Sequence, residues 1–487
     1  MFEKKNNIIR SIFDPTIPLD ELSFNDTDEG TNQKYKERGI KLQKRVGNQF
    51  PLVRINDYII SEDELLKLVI DTTKFLPTIF LIIEIGKIST FLSRAFPKDG
   101  DRINVFIRSR DDIFKPIRND YLITSVSTTK SLNEQGEGMR ITIQGELFIP
   151  KIMDEIIISK TGTSLEVLQE LASDLQLGFA TNETQTNDKQ TWICANDNYI
   201  NFIKHIADSS WKDENSFFQV FIDIYYNLNF INVNNQFSNS TEIDEALIDL
   251  LISDDSIVDN EIKMSIGKKV FTNINDRRGT NMFIKRYKIV NNSSRIAKKF
   301  GYKMHCEFFE HNSLKKWDIY SEPLIVEGAE KDNILLKGKP GENYYKTQIK
   351  KRWMGIQYSL PEHNVHEKYL YSRIHNLMNL KELEKMQVHI EVPRANFNVY
   401  RGERIPCIFV ATGEPLKNEY LKQQAEREES DLASPSSPVL DKFYTGFYMI
   451  YGMIFTYTTR NPQDPNDRGY FSEDIILTRR VWPLPRE

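Results

Sequence analysis

Between residues 50 and 150 the chain keeps returning to one texture, short runs of β-branched and aromatic residues set apart by turn residues. "LVRINDYII", "TIFLIIEI", "RINVFIRS" and "YLITSVST" are such runs, and "PKDGD" (97–101) places an Asp-Gly pair among them. Runs of this length bounded by turn signals predict strands. "MRITIQGELFI" (139–149) alternates apolar and polar positions, the period of a half-buried strand. Together these runs predict a small antiparallel barrel or sandwich. One helix is expected to interrupt them at "SEDELLKLVIDTTK" (61–74), because Ser61 with Glu64 three positions on forms a capping box.

After residue 160 the period changes. "TGTSLEVLQELASDLQLGFAT" (161–181) sets Leu165, Leu168, Leu171, Leu175 and Leu177 near helical spacing behind Thr163 as N-cap, with Gly178 placed to close the helix. A second helix is predicted at 196–211, with Ile200, Ile203 and Ile206 on one face. The segment "SFFQVFIDIYYNLNF" (216–230) follows. As a strand it carries Phe218, Val220 and Ile222 on one side and Phe217, Phe221 and Asp223 on the other. It then turns near "IYYN" and returns as "LNFINVN" (228–234). Both faces are largely apolar, which predicts a hairpin packed between the helices and another layer.

Strands resume at "GKKVFTNIN", "FIKRYKIVN", 302–309 and 317–320, and a helix is predicted at 368–386. Residues 387–410 read as two strands around a turn, and "YTGFYMIYGMIFTYTT" and "GYFSEDIILTRRVW" as closing strands. The pattern therefore predicts an α+β, β-rich chain with two antiparallel β-barrels, a helix–helix–hairpin module and inserted segments. Its expected divisions are an N-terminal arm (1–49), a first barrel (50–160), the helix–helix–hairpin module (161–240), an inserted α+β region containing part of a second barrel (241–386), and the second barrel (387–487). Residues 412–441, charged and rich in Ser and Pro, read as a mobile loop or partner-binding arm within the last of these.

Composition narrows the function classes. Of 487 residues 40% are apolar and 27% charged, the balance of a soluble globular protein, and the formal net charge of −5 lacks the basic surplus usual in a nucleic-acid binder. Cys194, Cys306 and Cys407 are far apart with no CxxC, which predicts reduced, buried thiols in a chain that matures in the cytosol. The N-terminal residues show no apolar core of a secretory signal. The most apolar run, "FLPTIFLIIEIG" (75–86), carries Pro77 and Glu84 and is too short for the ~30 Å of a bilayer core.

Candidate chemistry is sparse. His363 and His366 form HxxH without a matching third ligand, and His305 and Cys306, near His311, would face opposite sides of a strand. "GKPGENYYK" (338–346) lacks phosphate-loop spacing. Asp254/Asp255 and Glu428/Glu429 read as solvated charge, and Arg479 with Arg480 as an exposed strand end. Trp192, Trp211, Phe217, Phe218, Tyr225 and Tyr226 could stack on sugars, but core or subunit packing is the simpler reading. No catalytic, cofactor-binding or metal-binding residue is assigned; Trp192, Trp211, Phe218, Phe221 and Tyr225 are expected to be packing anchors.

The order of a leucine-rich helix, a Trp before the second helix and an aromatic hairpin resembles the central module of baseplate hub proteins from contractile-tailed phages of the T-even type. "PKDGDRINVFIRSRDDIFKPIRNDYLITSV" resembles that family's first barrel, and "VFTNINDRRGTNMFIKRYKIVNNSSRIAKKFGY" the segment after the helical module. "KMQVHIEVPRANFNVYRGERIPCIFV" with "YTGFYMIYGMIFTYTT" and "FSEDIILTRRVWPLP" resembles its closing barrel, a plan shared with late-control and type VI spike hubs. The resemblance covers roughly 50–485 and implies a homotrimer whose paired barrels join a sixfold tail tube to a threefold central spike. It implies a virion protein assembled in the host cytoplasm, with a channel for the tape measure protein and genome, contacts to baseplate wedge proteins, and no membrane or cofactor. Two other readings remain open: another structural tail protein at the tube end or wedge, and a carbohydrate-binding or cell-wall-hydrolysing tail protein.

Overall fold

The computed structural model describes residues 50–237 apart from short gaps, most of 366–409 and 441–479, and separate segments between 271 and 352. The first seven strands are β1 (Leu52–Ile55), β2 (Tyr58–Ile59), β3 (Leu65–Asp71), β4 (Thr78–Ile85), β5 (Arg102–Ile107), β6 (Ile117–Asn133) and β7 (Gly136–Leu147). In β4 the alternation read from the sequence places Ile79, Leu81, Ile83 and Ile85 in the core. Leu81 stands opposite Ile143 of β7, whose Ile141 and Ile143 share that face. All pairings among these strands are antiparallel, in the order β3-β4-β7-β6-β5-β1-β2.

The expected helix at 61–74 is absent. The Ser61 amide does donate to the Glu64 carboxylate at 2.9 Å, but the contact closes a single turn and β3 begins at Leu65. Two forces override the capping signal. Val69 and Ile70 favour an extended backbone, and β3 has strands on both edges, β4 on one and a late strand on the other, which satisfy its backbone groups. Leu65, Leu68 and Ile70 are fully buried, and a bulge between Leu65 and Lys67 accommodates the uneven apolar spacing.

The middle of the chain holds β8 (Glu155–Gly162), α1 (Ser164–Asp174), β9 (Gly178–Thr181), β10 (Gln190–Asn198), α2 (Tyr199–Asp208), β11 (Phe218–Ile222) and β12 (Asn227–Asn232). Thr163 caps α1 in a full capping box with Glu166. The helix ends earlier than its leucine pattern suggests. Leu175 is the C-cap, Gln176 takes φ 59°, and Gly178 does not cap but opens β9, which lies parallel to β12. In α2, capped by Asn198, Ile203 and Ile206 are fully buried while Ile200 is only partly so. β11 and β12 form the expected antiparallel hairpin. Strands β8, β9 and β10 were not anticipated; among the described residues β8 and β10 pair only with each other.

Later come β13 (Phe271–Thr272), β14 (Met282–Phe283), β15 (Arg286–Asn291), β16 (Met304–Phe309), β17 (Lys316–Ser321), β18 (Ile349–Arg352), α3 (Tyr369–Leu383), β19 (Met386–Val392), β20 (Arg404–Ile408), β21 (Gly446–Thr458) and β22 (Tyr470–Thr478). The two strands expected around a turn at 387–410 are present but do not pair with each other. β19 lies between β15 and β22, and β20 lies beside β21. One edge of β21 takes β22. Its other edge is divided, with Gly446–Met449 against β20 and Ile454–Thr458 against β3. That second pairing fuses early and late strands into one sheet of fourteen among the described residues.

The chain is thus β-rich, with few helices and a large, mainly antiparallel sheet. A core cluster runs continuously from β1 through the hairpin to β22. Cys194 and Cys407 are buried thiols. Among the described residues no helix is long and apolar enough to cross a membrane. The expected arm at 1–49, the loop at 338–346 and nearly all of the insertion at 412–441 lie outside the described residues, as do Asp254, Asp255, Glu428, Glu429, His311, His363 and Arg480.

Candidate functional site: the junction of the two strand groups

The hairpin tip, Asp223–Asn227, is where the sheet's early and late strands come together. The half-buried Asp223 carboxylate accepts from the amides of Tyr225 (2.8 Å) and Asn227 (2.9 Å) and from the side chains of Asn227 and Asn229. These bonds hold Tyr226 at φ 59°, a conformation few non-glycine residues adopt. Burial pushes the Asp223 carboxyl above its usual range, partly offset by the same donors. The tip reaches both ways. Asn119 of β6 donates to the Ile224 carbonyl at 2.6 Å, and the Asp120 amide donates to the Tyr226 hydroxyl at 2.9 Å. On the opposite side the Tyr225 hydroxyl donates to the Phe397 carbonyl at 2.5 Å.

Arg401, 8% exposed, closes the seam. Its Nη1 donates to the carbonyls of Thr72 (2.8 Å) and Lys74 (2.5 Å), just past β3, while its guanidinium lies 4.3 Å from the centre of the Phe221 ring. Burial pulls its pKa down to about 10, so it remains a cation at neutral pH. Thr72 completes the bridge, donating its amide and hydroxyl to the Met453 carbonyl at 2.9 Å each. The chain passes so close here that two glycines are required. At Gly402, φ +80°, an added Cβ would stand 2.4 Å from Ile231 Cδ1, and at Gly452 one would stand 2.7 Å from Thr73 Cγ2.

The loop that carries Phe397 and Arg401 is itself anchored by Glu473. This side chain is fully buried on β22, opposite Val392 and Phe455, and its Oε2 accepts from the Asn396 amide at 2.9 Å. Burial pushes its pKa up to about 8, so it carries a proton at neutral pH.

Helix α3 clamps the other side of the hairpin through a buried polar face. Asn376 accepts from the Phe218 amide (3.3 Å) and donates to the carbonyls of Asp208 (3.0 Å) and Ser210 (2.9 Å), satisfying the end of α2. Ser372 donates to Ser209 O, and His375 Nε2 lies 3.1 Å from Ser216 O. His366, one half of the HxxH pair, is buried with its Nε2 3.0 Å from Ser209 O. Burial keeps His205 neutral, with its pKa pulled down to about 4.

The aromatics singled out from the sequence are all buried, but in three places. Phe221, Tyr225 and Tyr226 line the junction. Phe218 stacks on Phe230 (4.8 Å) beside α3. Trp192 donates to Gly162 O, and the Trp211 amide donates to Asp188, which also accepts from Ser164 at the start of α1. Arg479 is not an exposed strand end. It is buried over the Tyr448 ring and donates to Thr445 O at 3.3 Å. Arg401, Thr72, Asn376 and Glu473 were missed because isolated polar residues carry no periodic signal; only the adjoining Arg401–Gly402 turn could have drawn notice. Among the described residues no group of three or more His, Cys, Asp or Glu is placed to hold a metal. The junction's polar groups hold backbone to backbone, so what the arrangement can do is keep two strand groups in fixed relation.

Neither a family model nor a curated protein matches the sequence. Among solved structures the chain is similar to the tail protein from Neisseria meningitidis MC58, at 12% identity over 90% of this chain and 98% of that one, with a TM-score of 0.46. It is also similar to the 43 kDa tail protein of prophage MuSo2 from Shewanella oneidensis, at 9% identity over 90% and 97%, TM-score 0.43. A third is the half-lidded PdpA–VgrG complex of Francisella, at 10% identity over 94% and 63%, TM-score 0.38.

Proposed function

We propose that the chain is the structural baseplate hub of a contractile tail. In this reading three copies close into a ring, and each contributes one barrel from 50–160 and a second from 387–487. The ring joins a sixfold tail tube to a threefold central spike around a channel for tape measure and DNA, with wedge proteins outside. The observation that supports the reading is the divided edge of β21, which hydrogen-bonds a late strand group to an early one within a single chain. Arg401, Tyr225 and Tyr226 reinforce that seam from the hairpin side. Two strand groups held together in one polypeptide are what a threefold ring needs in order to present six similar sheets. Such a molecule works as a coupling: it carries load through ladder hydrogen bonds and packed rings.

The test is the oligomeric mass of the purified chain together with an image of the particle. A three-copy ring with six similar lobes and affinity for a spike protein is the expected result. Six-copy rings that bind tube alone would favour a tube-end protein, and peptidoglycan release by the purified chain would favour a hydrolase.

A further inference from the structure

The ribbon β8–β10 stands apart from the large sheet. Neither strand pairs with any other described strand, and two-stranded ribbons are marginal by themselves. Its outer face bears Ile157, 79% exposed, and Ile193, 46% exposed, with Ser159, Thr161, Thr191 and Ala195 around them and no charge between. Met153, 59% exposed, precedes β8, separated from Ile157 along the chain by the exposed Asp154 and Glu155. The two edges of the ribbon differ. β10 is broken by a bulge between Ala195 and Asp197, with Asn196 at φ 59°, a device that discourages further pairing. β8 is regular, has no proline, and alternates evenly along its length. A regular, isoleucine-rich edge of this kind, with charge only near its two ends, is a template for strand addition.

Charge indicates what the edge receives. The start of β8 is acidic, with Asp154 and Glu155 exposed beside Lys151, while Lys160 near its end is already paired with Glu170 (3.2 Å) and Asp174 (2.9 Å). Elsewhere in the chain, β15 pairs with β19 alone among the described strands, and its start is basic. Lys285 and Arg286, 57% and 78% exposed, share the single carboxylate of Glu391, and Lys288 follows on the same exposed face near the exposed Asp474. The acid lies at the start of one strand and the bases at the start of the other, so the two fit in parallel. Two unlike edges on one chain make a head-to-tail contact, the kind that closes into a ring.

We propose that β8 is the surface on which a second copy of this chain docks its β15 edge, a contact that rests on the ring-forming reading above. The experiment is sedimentation of the full chain at matched concentrations, for the unaltered protein and for Ile157→Lys, Arg286→Glu and the pair Arg286→Glu with Glu155→Arg. Residue 157 is mostly exposed, so the monomer should fold, and its thermal melt checks this. The expected result is three chains for the unaltered protein, one chain for each single variant, and recovery of the three-chain species in the charge-swapped pair. A three-chain Ile157→Lys, or no recovery in the pair, would overturn the docking surface and leave the trimer intact. A one-chain unaltered protein would overturn the ring itself.

Discussion

At Arg401 one guanidinium ties the late loop to the carbonyls that follow β3 and lies on a hairpin ring, so a single side chain spans three elements. The next residue shows how little slack the seam has. Gly402→Ala places a Cβ where Ile231 already sits and requires a positive φ of an L residue, a loss of about 1–3 kcal/mol that a urea titration would read. Glu473 adds a pH signature. Its carboxyl holds a proton up to pH about 8 in the folded chain but only to about 4.5 when unfolded, so between those values the native state binds more protons. Stability from this group is therefore lost as pH rises through that window, by at most ~1.4 kcal/mol per pH unit. Among the described residues Asp474 is the one charged group that bears on it, and its direct ladder partners, Val392 and Phe455, are apolar. On going from pH about 6 to about 8 the melting temperature of the unaltered protein should fall relative to that of Glu473→Gln. Parallel pH slopes for the two proteins would refute the assignment.

Among elements, α3 illustrates a face that pattern reading undervalues. Ser372, His375, Asn376 and Asn379 are buried along it, so its apolar stripe is weak although its position is fixed by hydrogen bonds to the end of α2. Asn376→Ala removes the partner of the Phe218 amide and of the Asp208 and Ser210 carbonyls, and should cost about 2–4 kcal/mol. Thr163→Ala, the loss of an exposed cap on α1, should cost about 1 kcal/mol. Equal losses for the two would mean that α3 does not clamp the hairpin. β3 teaches the converse lesson: a local capping contact formed as read, yet the element became a strand because two neighbours offered their edges.

For the whole molecule, the hairpin answers for the union of the parts. Phe218 packs against Phe230, and Phe221 lies beneath Arg401, both fully buried. Phe218→Asp or Phe221→Asp buries a carboxylate among rings and should prevent folding or ring assembly, seen as loss of soluble protein. Soluble, ring-forming protein from both variants would show that the hairpin is dispensable. His205 contributes in the acid range. Its pKa falls from 6.5 to about 4 on folding, so its share of stability is lost as pH drops through that interval, opposite in sign to Glu473.

What the residues determined alone was local: the strand character of 78–85, 102–107 and 139–147, the Thr163 cap, the hairpin at 218–232 and the helix at 369–383, each written in a period or a cap that short-range physics reads. Tertiary structure alone decided that 65–71 is a strand, that Gly178 opens a strand, that β21 divides its edge between early and late partners, and that Arg401, Asn376 and Glu473 are interior. The physical reason is that backbone pairing and the burial of a lone polar group depend on partners far along the chain, which no local window contains.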